Sequence, residues 1–167
     1  MTLQTLWQAL EASPVGDFVA SSSWAFPAIE SAHVVAVVTV VGTVAIMDFR
    51  LLGIASPNWK VTQMSNDTLR WTWVGFAVAV LTGSLLFVSK AHIYAIEPYF
   101  LWKMVLLAVA GVNMAVFHVV SGRTIDQWDS SRVAPLSGKI AGSLSLLCWV
   151  AIIFCGRWIG FTLGHYE

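Results

Sequence analysis

PAIESAHVVAVVTVVGTVAIMDFRLL, residues 27–52, carries formal charge only at Glu30 near its start and at Asp48 and Arg50 near its end. As a helix rising about 1.5 Å per residue, it exceeds the roughly 30 Å hydrocarbon core of a bilayer. Pro27 suits a first helical position, where its missing N–H costs nothing. The stretch therefore predicts a membrane span. The pattern returns at residues 71–89, with no charged residue, at 99–120, with Lys103, and at 141–161, with Arg157.

Composition points the same way. Apolar residues make up 57% of the chain and charged residues 11%, against roughly 25% charged in a soluble domain, and the mean hydropathy is +0.75. So few charges cannot cover a water-facing surface. Four spans of about 20 residues with short loops use nearly all of the 167 residues. The expectation is an all-α transmembrane four-helix bundle forming one domain at 27–167, after an N-terminal interfacial segment at 1–26. In that segment Leu3, Leu6, Trp7 and Leu10 recur at helical spacing before a break at Ser13-Pro14-Val15-Gly16, which reads as a short amphipathic helix lying on the membrane.

The first Lys or Arg is Arg50, so the N-terminus lacks the positive region of a cleaved signal peptide, and the first span is expected to remain as an anchor. The connections 53–70 and 121–140 are polar and too short to fold separately. Arg50, Lys60, Arg70, Arg123, Arg132 and Lys139 fall on the side these connections share, whereas Lys90, Lys103 and Arg157 fall on the other. Under the positive-inside rule both termini lie outside, in the periplasm of a bacterium, and the chain sits in the inner membrane. Trp24, Trp102 and Trp158 would mark the outer boundary, and Trp59, Trp71, Trp73 and Trp128 the inner one.

Ionisable groups in hydrocarbon are costly and mark sites or buried pairs. Helix rise puts His33 about 10 Å outside the midpoint of span one and His118 about 13 Å inside that of span three, so they cannot share one iron. His92 and His165, just past spans two and four, lie on the outer side with His33. A haem held by two histidines needs a pair at similar depth on different helices, which His33 and His92 meet loosely. Glu30, one turn before His33, could orient its imidazole.

Gly156, Gly160 and Gly164 form a ridge on which a flat macrocycle or a neighbouring helix could lie, and Arg157 beside it could pair with a propionate or snorkel to headgroups. Asp48 and Arg50 read as an ion pair at the inner edge. Lys103 and Asn113 are open to a functional or a structural role. Met47, Met104 and Met114 are packing residues or soft ligands. Cys148 and Cys155 share a helix face about 10 Å apart, too far for a disulfide, and read as apolar thiols.

The string Ile29-Glu30-Ser31-Ala32-His33, then Gly42 and Asp48-Phe49-Arg50-Leu51-Leu52-Gly53, resembles the first span of a bacterial four-span membrane family of undefined function. Leu81-Thr82-Gly83, Phe100-Leu101-Trp102-Lys103, Gly111-Val112-Asn113 through His118, and Gly156-Arg157 look like that family's other blocks, so the resemblance covers nearly the whole chain. More distantly, a first span with an inset His and a Lys-led span ending in His resemble the copper-resistance D membrane family and the HemJ-type protoporphyrinogen oxidases. Those resemblances imply haem b or copper as ligand, with their histidine matching His33 and their basic residue Lys103. His92 and His165 do not belong to that pattern.

The leading expectation is a cytochrome b-like membrane protein or subunit, with haem b bound through His33, His92, Arg157, Gly160 and Lys103, and a second haem near His118 as an extension. One alternative is copper handling by His33, His92, Glu30 and a methionine at the outer face. Another is a cofactor-free anchoring or assembly subunit. Expected partners are the lipid bilayer, membrane or periplasmic redox subunits and a second copy of the chain. Zero formal net charge gives no footprint for nucleic acid. No nucleophile motif, phosphate loop or dinucleotide fingerprint is present, and no inverted repeat points to a transporter.

Overall fold

The computed structural model describes residues 3–55, 58–120, 122–129, 131 and 133–162. Arg132, Gly164 and His165 lie outside them. Among the described residues the chain is all-helical, and four helices are long and apolar enough to cross a bilayer. These are α3 (Ala25–Leu52), α4 (Val61–Ser89), α6 (Pro98–Val120) and α8 (Leu136–Thr162). Shorter helices flank them: α1 (Leu3–Glu11), α2 (Pro14–Ser21), α5 (Ala91–Ile96) and α7 (Ile125–Trp128), the last preceded by a 3-10 turn, Gly122–Thr124.

The N-terminal segment is two helices rather than one. Ser13 caps α2 by accepting from the Gly16 N–H at 3.1 Å, and Pro14 follows where no donor is needed. Gly16 permits the tight turn, because a Cβ there would stand 2.6 Å from the Glu11 carbonyl oxygen. Both helices dock on the bundle. Helix α1 lies against α5 and α4, and α2 against α4 and α3, with Trp7 edge-on to Phe87 at 5.6 Å.

Helix α3 stops at Gly53, whose φ of 75° is the left-handed conformation that ends a helix. The Ile54 N–H then returns to the Phe49 carbonyl at 3.0 Å. Helix α4 starts at Val61, well before the apolar stretch at Trp71. Residues 61–70 are polar and were expected as connection. They are helical because Asp129, at the end of α7, caps them from a distance. Its carboxylate accepts the Thr62 N–H at 2.8 Å and the Thr62 hydroxyl at 2.7 Å. Buried Leu51, Val61, Trp128 and Ala134 form a small core beneath this cap, with Met47, Phe117 and Ile125 against it. Trp128 is therefore a core residue and not part of an interfacial belt.

The expected Asp48–Arg50 pair is not made. Arg50 is fully buried and donates to the Trp59 carbonyl at 2.8 Å and to the Ser131 carbonyl at 2.9 Å, tying both connections to the end of α3. Asp48 turns instead to Ser145 on α8. Residues two apart on a helix point to nearly opposite sides, which is why each takes its own partners.

Helices α3 and α4 pack closely, as do α6 and α8, and α3 and α8 join the two pairs. Glycines set the close approaches: a Cβ at Gly75 would meet the Ala36 carbonyl at 3.2 Å, and one at Gly142 the Asp48 carbonyl at 3.2 Å. Helices α4 and α6 pack less closely and meet at the Glu97 end, where Phe87 stacks on Phe100 at 5.4 Å. No residue of α6 is fully buried. Exposed valines and leucines such as Val35, Val38, Leu81, Val112 and Leu147 cover the outside, which suits helices solvated by lipid.

Candidate functional site

Each of the four long helices contributes to one level of the bundle. His33 comes from α3, Thr82 and Gly83 from α4, Lys103 from α6, and Cys155 and Gly156 from α8. The half-buried His33 places Nδ1 at 2.9 Å from Thr82 Oγ1. The single Thr82 hydroxyl proton is directed to the Val78 carbonyl at 2.7 Å, so Thr82 accepts and His33 Nδ1–H donates. With Nδ1 carrying the proton, the neutral imidazole keeps its lone pair on Nε2, which has no hydrogen-bond partner among the described residues.

Gly83 makes room for the ring. A Cβ there would stand 3.0 Å from His33 Cε1 and 3.5 Å from Nδ1. Lys103 reaches toward α8, where its Nζ lies 3.8 Å from the place a Gly156 Cβ would occupy. It acts electrostatically on both His33 and the buried Cys155.

The bundle end above this level is fixed by Glu97, which is fully buried. One carboxylate oxygen accepts the Phe100 N–H at 2.6 Å and the other accepts the Thr162 hydroxyl at 2.9 Å, so Glu97 caps α6 and ties it to α8. Beside it, burial and the charges of Glu30 and Glu97 push the Tyr94 hydroxyl up to about 12, so it stays protonated at neutral pH. Among the described residues no hydrogen bond joins Glu30 to His33, and Thr82 orients the ring.

The other residues marked by sequence lie elsewhere. His92, half exposed, binds Glu11 of α1 through its backbone N–H at 2.9 Å and its ring Nδ1 at 2.7 Å. His118 sits exposed on α6 toward the Arg50 end, its Nδ1 at 2.8 Å from the Met114 carbonyl. The exposed Arg157 stacks over Phe161 at 4.9 Å. Gly160 has nothing within 4 Å of where its Cβ would be. Asn113 donates to the Ala141 carbonyl at 2.9 Å, joining α6 to α8. Met47 belongs to the core near Arg50, whereas Met104 and Met114 are exposed.

Sequence reasoning gave no role to Thr82, Gly83 or Glu97. The signals were present: a hydroxyl and a glycine side by side in a long apolar run, and an acid directly before a proline.

Fold and site define a multi-pass α-helical membrane protein with an ionisable pair, His33 and Lys103, held between its spans. The chain belongs to a family of unknown function, DUF6644, whose model matches residues 19–162. The match begins within α2 and takes in all four long helices. No curated protein and no solved structure matches the chain.

Proposed function

We propose that this protein binds haem b in the membrane and passes electrons, with His33 as an axial ligand. The observation that carries the reading is the state of the His33 ring. Nδ1–H donates to Thr82, and Nε2 keeps its lone pair with no hydrogen-bond partner among the described residues, the arrangement that prepares a histidine for a metal. Among the described residues no three His, Cys, Asp or Glu side chains gather as a ligand set. A porphyrin brings four nitrogens of its own and needs only one or two from protein, so a single prepared imidazole suits haem better than bare copper.

Gly83 leaves space for the His33 ring and Gly156 for the Lys103 ammonium, so both ionisable side chains sit between the spans. Haem, when bound, supplies one-electron chemistry. The chain's part is to hold Nε2 in place through Thr82 and to keep water away, both of which tune a potential. The distant resemblance to haem- and copper-linked membrane families supports the same reading. His118 lies too far along the bundle to serve the same iron. The excess of Lys and Arg at the Arg50 end supports placing the His33 level toward the periplasm of an inner membrane.

Absorbance of the purified protein tests the proposal. A Soret band and a reduced α-band with dithionite are expected, and both should vanish in His33→Ala. A preparation with neither band rejects the function. His92→Ala reports the second axial position: an unchanged low-spin spectrum leaves His92 to its bond with Glu11, whereas conversion to high spin assigns it to the iron.

A further inference from the structure

Near the Arg50 end of the bundle a cavity of about 230 Å³ opens between α3 and α4, lined by Ile46, Trp59, Met64, Asp67 and Thr68. It is remote from His33, since His33 and Ile46 are separated along α3 by about 20 Å at 1.5 Å per residue. Met64, Asp67 and Thr68 stand three and four residues apart and so share one face of α4. Trp59 comes from the connection before that helix. Its backbone is held by the fully buried Arg50, whose Nε donates to the Trp59 carbonyl at 2.8 Å.

The chemistry of the lining selects a cation. Among the described residues the Asp67 carboxylate and the Trp59 indole make no hydrogen bond, ion pair or ring contact, although Arg70 follows Asp67 within one turn. Both side chains are exposed. A carboxylate beside an indole attracts an ammonium through its charge and through the quadrupole of the ring. The Thr68 hydroxyl gives its proton to the Met64 carbonyl at 2.9 Å, so its oxygen is left to accept. Two acceptors call for N–H donors, which a primary ammonium has and a quaternary one lacks.

Depth in the membrane identifies the source of that ammonium. Asp67 stands one turn before Trp71, where the uncharged stretch of α4 begins, and this is the level of lipid headgroups. Ile46 belongs to the uncharged run of α3 and lies toward the acyl chains. Arg70 is exposed and shares a helix face with Asp67, where it can meet a phosphate. We propose that this cavity holds the headgroup of an aminophospholipid, with the primary ammonium against Asp67, Trp59 and Thr68 and the phosphate toward Arg70. Haem at His33 is not required for it, so the two readings stand or fall separately.

Native mass spectrometry of the full-length protein in detergent, titrated with dioctanoyl phosphatidylethanolamine, dioctanoyl phosphatidylcholine and glycerophosphoethanolamine, tests this. The choline lipid keeps the charges and chains but has no N–H, whereas the soluble phosphodiester keeps the headgroup without chains. The wild-type protein should bind the ethanolamine lipid roughly ten-fold more tightly than the choline lipid, the worth of one hydrogen bond to a charged group. Asp67→Asn should bind both lipids alike, and Asp67→Glu should restore the preference. Trp59→Leu should weaken binding of the ethanolamine lipid. The soluble headgroup should bind about ten-fold or more weakly than the lipid, because it buries no chain. Equal affinity of the wild-type protein for the two lipids overturns the site, and so does a preference that persists in Asp67→Asn. A soluble headgroup that binds as tightly as the lipid overturns the lipid as occupant and assigns the cavity to a free amine.

Discussion

At the scale of single residues, the site depends on small groups that do not themselves bind anything. Thr82 fixes the His33 tautomer and Gly83 gives the ring its space. Thr82→Val should therefore lower haem affinity by about 10- to 100-fold, as loss of a supporting hydrogen bond to a metal-bound histidine does. Gly83→Ala should separate function from stability. Alanine favours a helix by about 1 kcal/mol over glycine, so resistance to unfolding should hold or rise while the Soret band weakens, because the new methyl presses on His33 Cε1. Equal loss in both measurements would show that Gly83 serves packing alone. Arg50 is the opposite kind of residue, wholly structural. Arg50→Leu removes the donor to the Trp59 and Ser131 carbonyls and should cost about 1–3 kcal/mol in detergent unfolding. His33 and Lys103 were legible in the sequence because a titratable group in an apolar run is conspicuous. Thr82 and Gly83 were not, since small uncharged residues look the same whether they support a ligand or merely pack. The fate of Arg50 was hidden for another reason: its acceptors, Trp59 and Ser131, are backbone carbonyls, and no side-chain pattern announces them.

At the scale of elements, the four apolar helices follow from hydropathy, and their polar extensions do not. Residues 61–70 contain Gln63, Ser65, Asn66 and Asp67, a composition that reads as loop. They join α4 because a carboxylate 67 positions away caps its first turn. The cap has a pH signature. Partial burial alone would raise the Asp129 carboxyl, but the Thr62 N–H and hydroxyl, with Lys60 nearby and the Val61 N–H, outweigh it and hold the group below the usual carboxylate value. A depressed carboxyl stabilises the folded state above its unfolded value of about 3.9 and loses that contribution as pH falls through the folded one. Protection of the amides at residues 61–65, measured against the exchange of an unstructured chain at the same pH, should thus persist down to about pH 4 and fall below it. In Asp129→Ala it should be low at neutral pH as well, with a loss of about 1–2 kcal/mol. Uniform protection across the acid range would argue against the cap.

At the scale of the whole molecule, α3 and α8 form the spine, and α4 and α6 flank it and meet through the stacked rings of Phe87 and Phe100. Orientation can be checked by single cysteines at Asn58 and Glu30, placed in a background in which Cys148 and Cys155 are replaced by serine. An impermeant maleimide added to intact cells should label the position 30 cysteine and spare the position 58 cysteine until the cells are opened. The reverse pattern would place the His33 level on the cytoplasmic side. The number of spans was legible because lipid imposes one rule on every segment. Which spans touch was not, since helices that are apolar all round carry no facing signal.

The first two helices rest on α4 and α5, which are synthesised after them. On a growing chain Trp7 has no Phe87 to meet and Glu11 no His92 until roughly half the polypeptide has emerged. Through that interval Leu3, Leu6 and Trp7 need a temporary home, and the headgroup layer supplies one for an amphipathic helix. The earliest residues therefore take their final place only after α4 and α5 have been made.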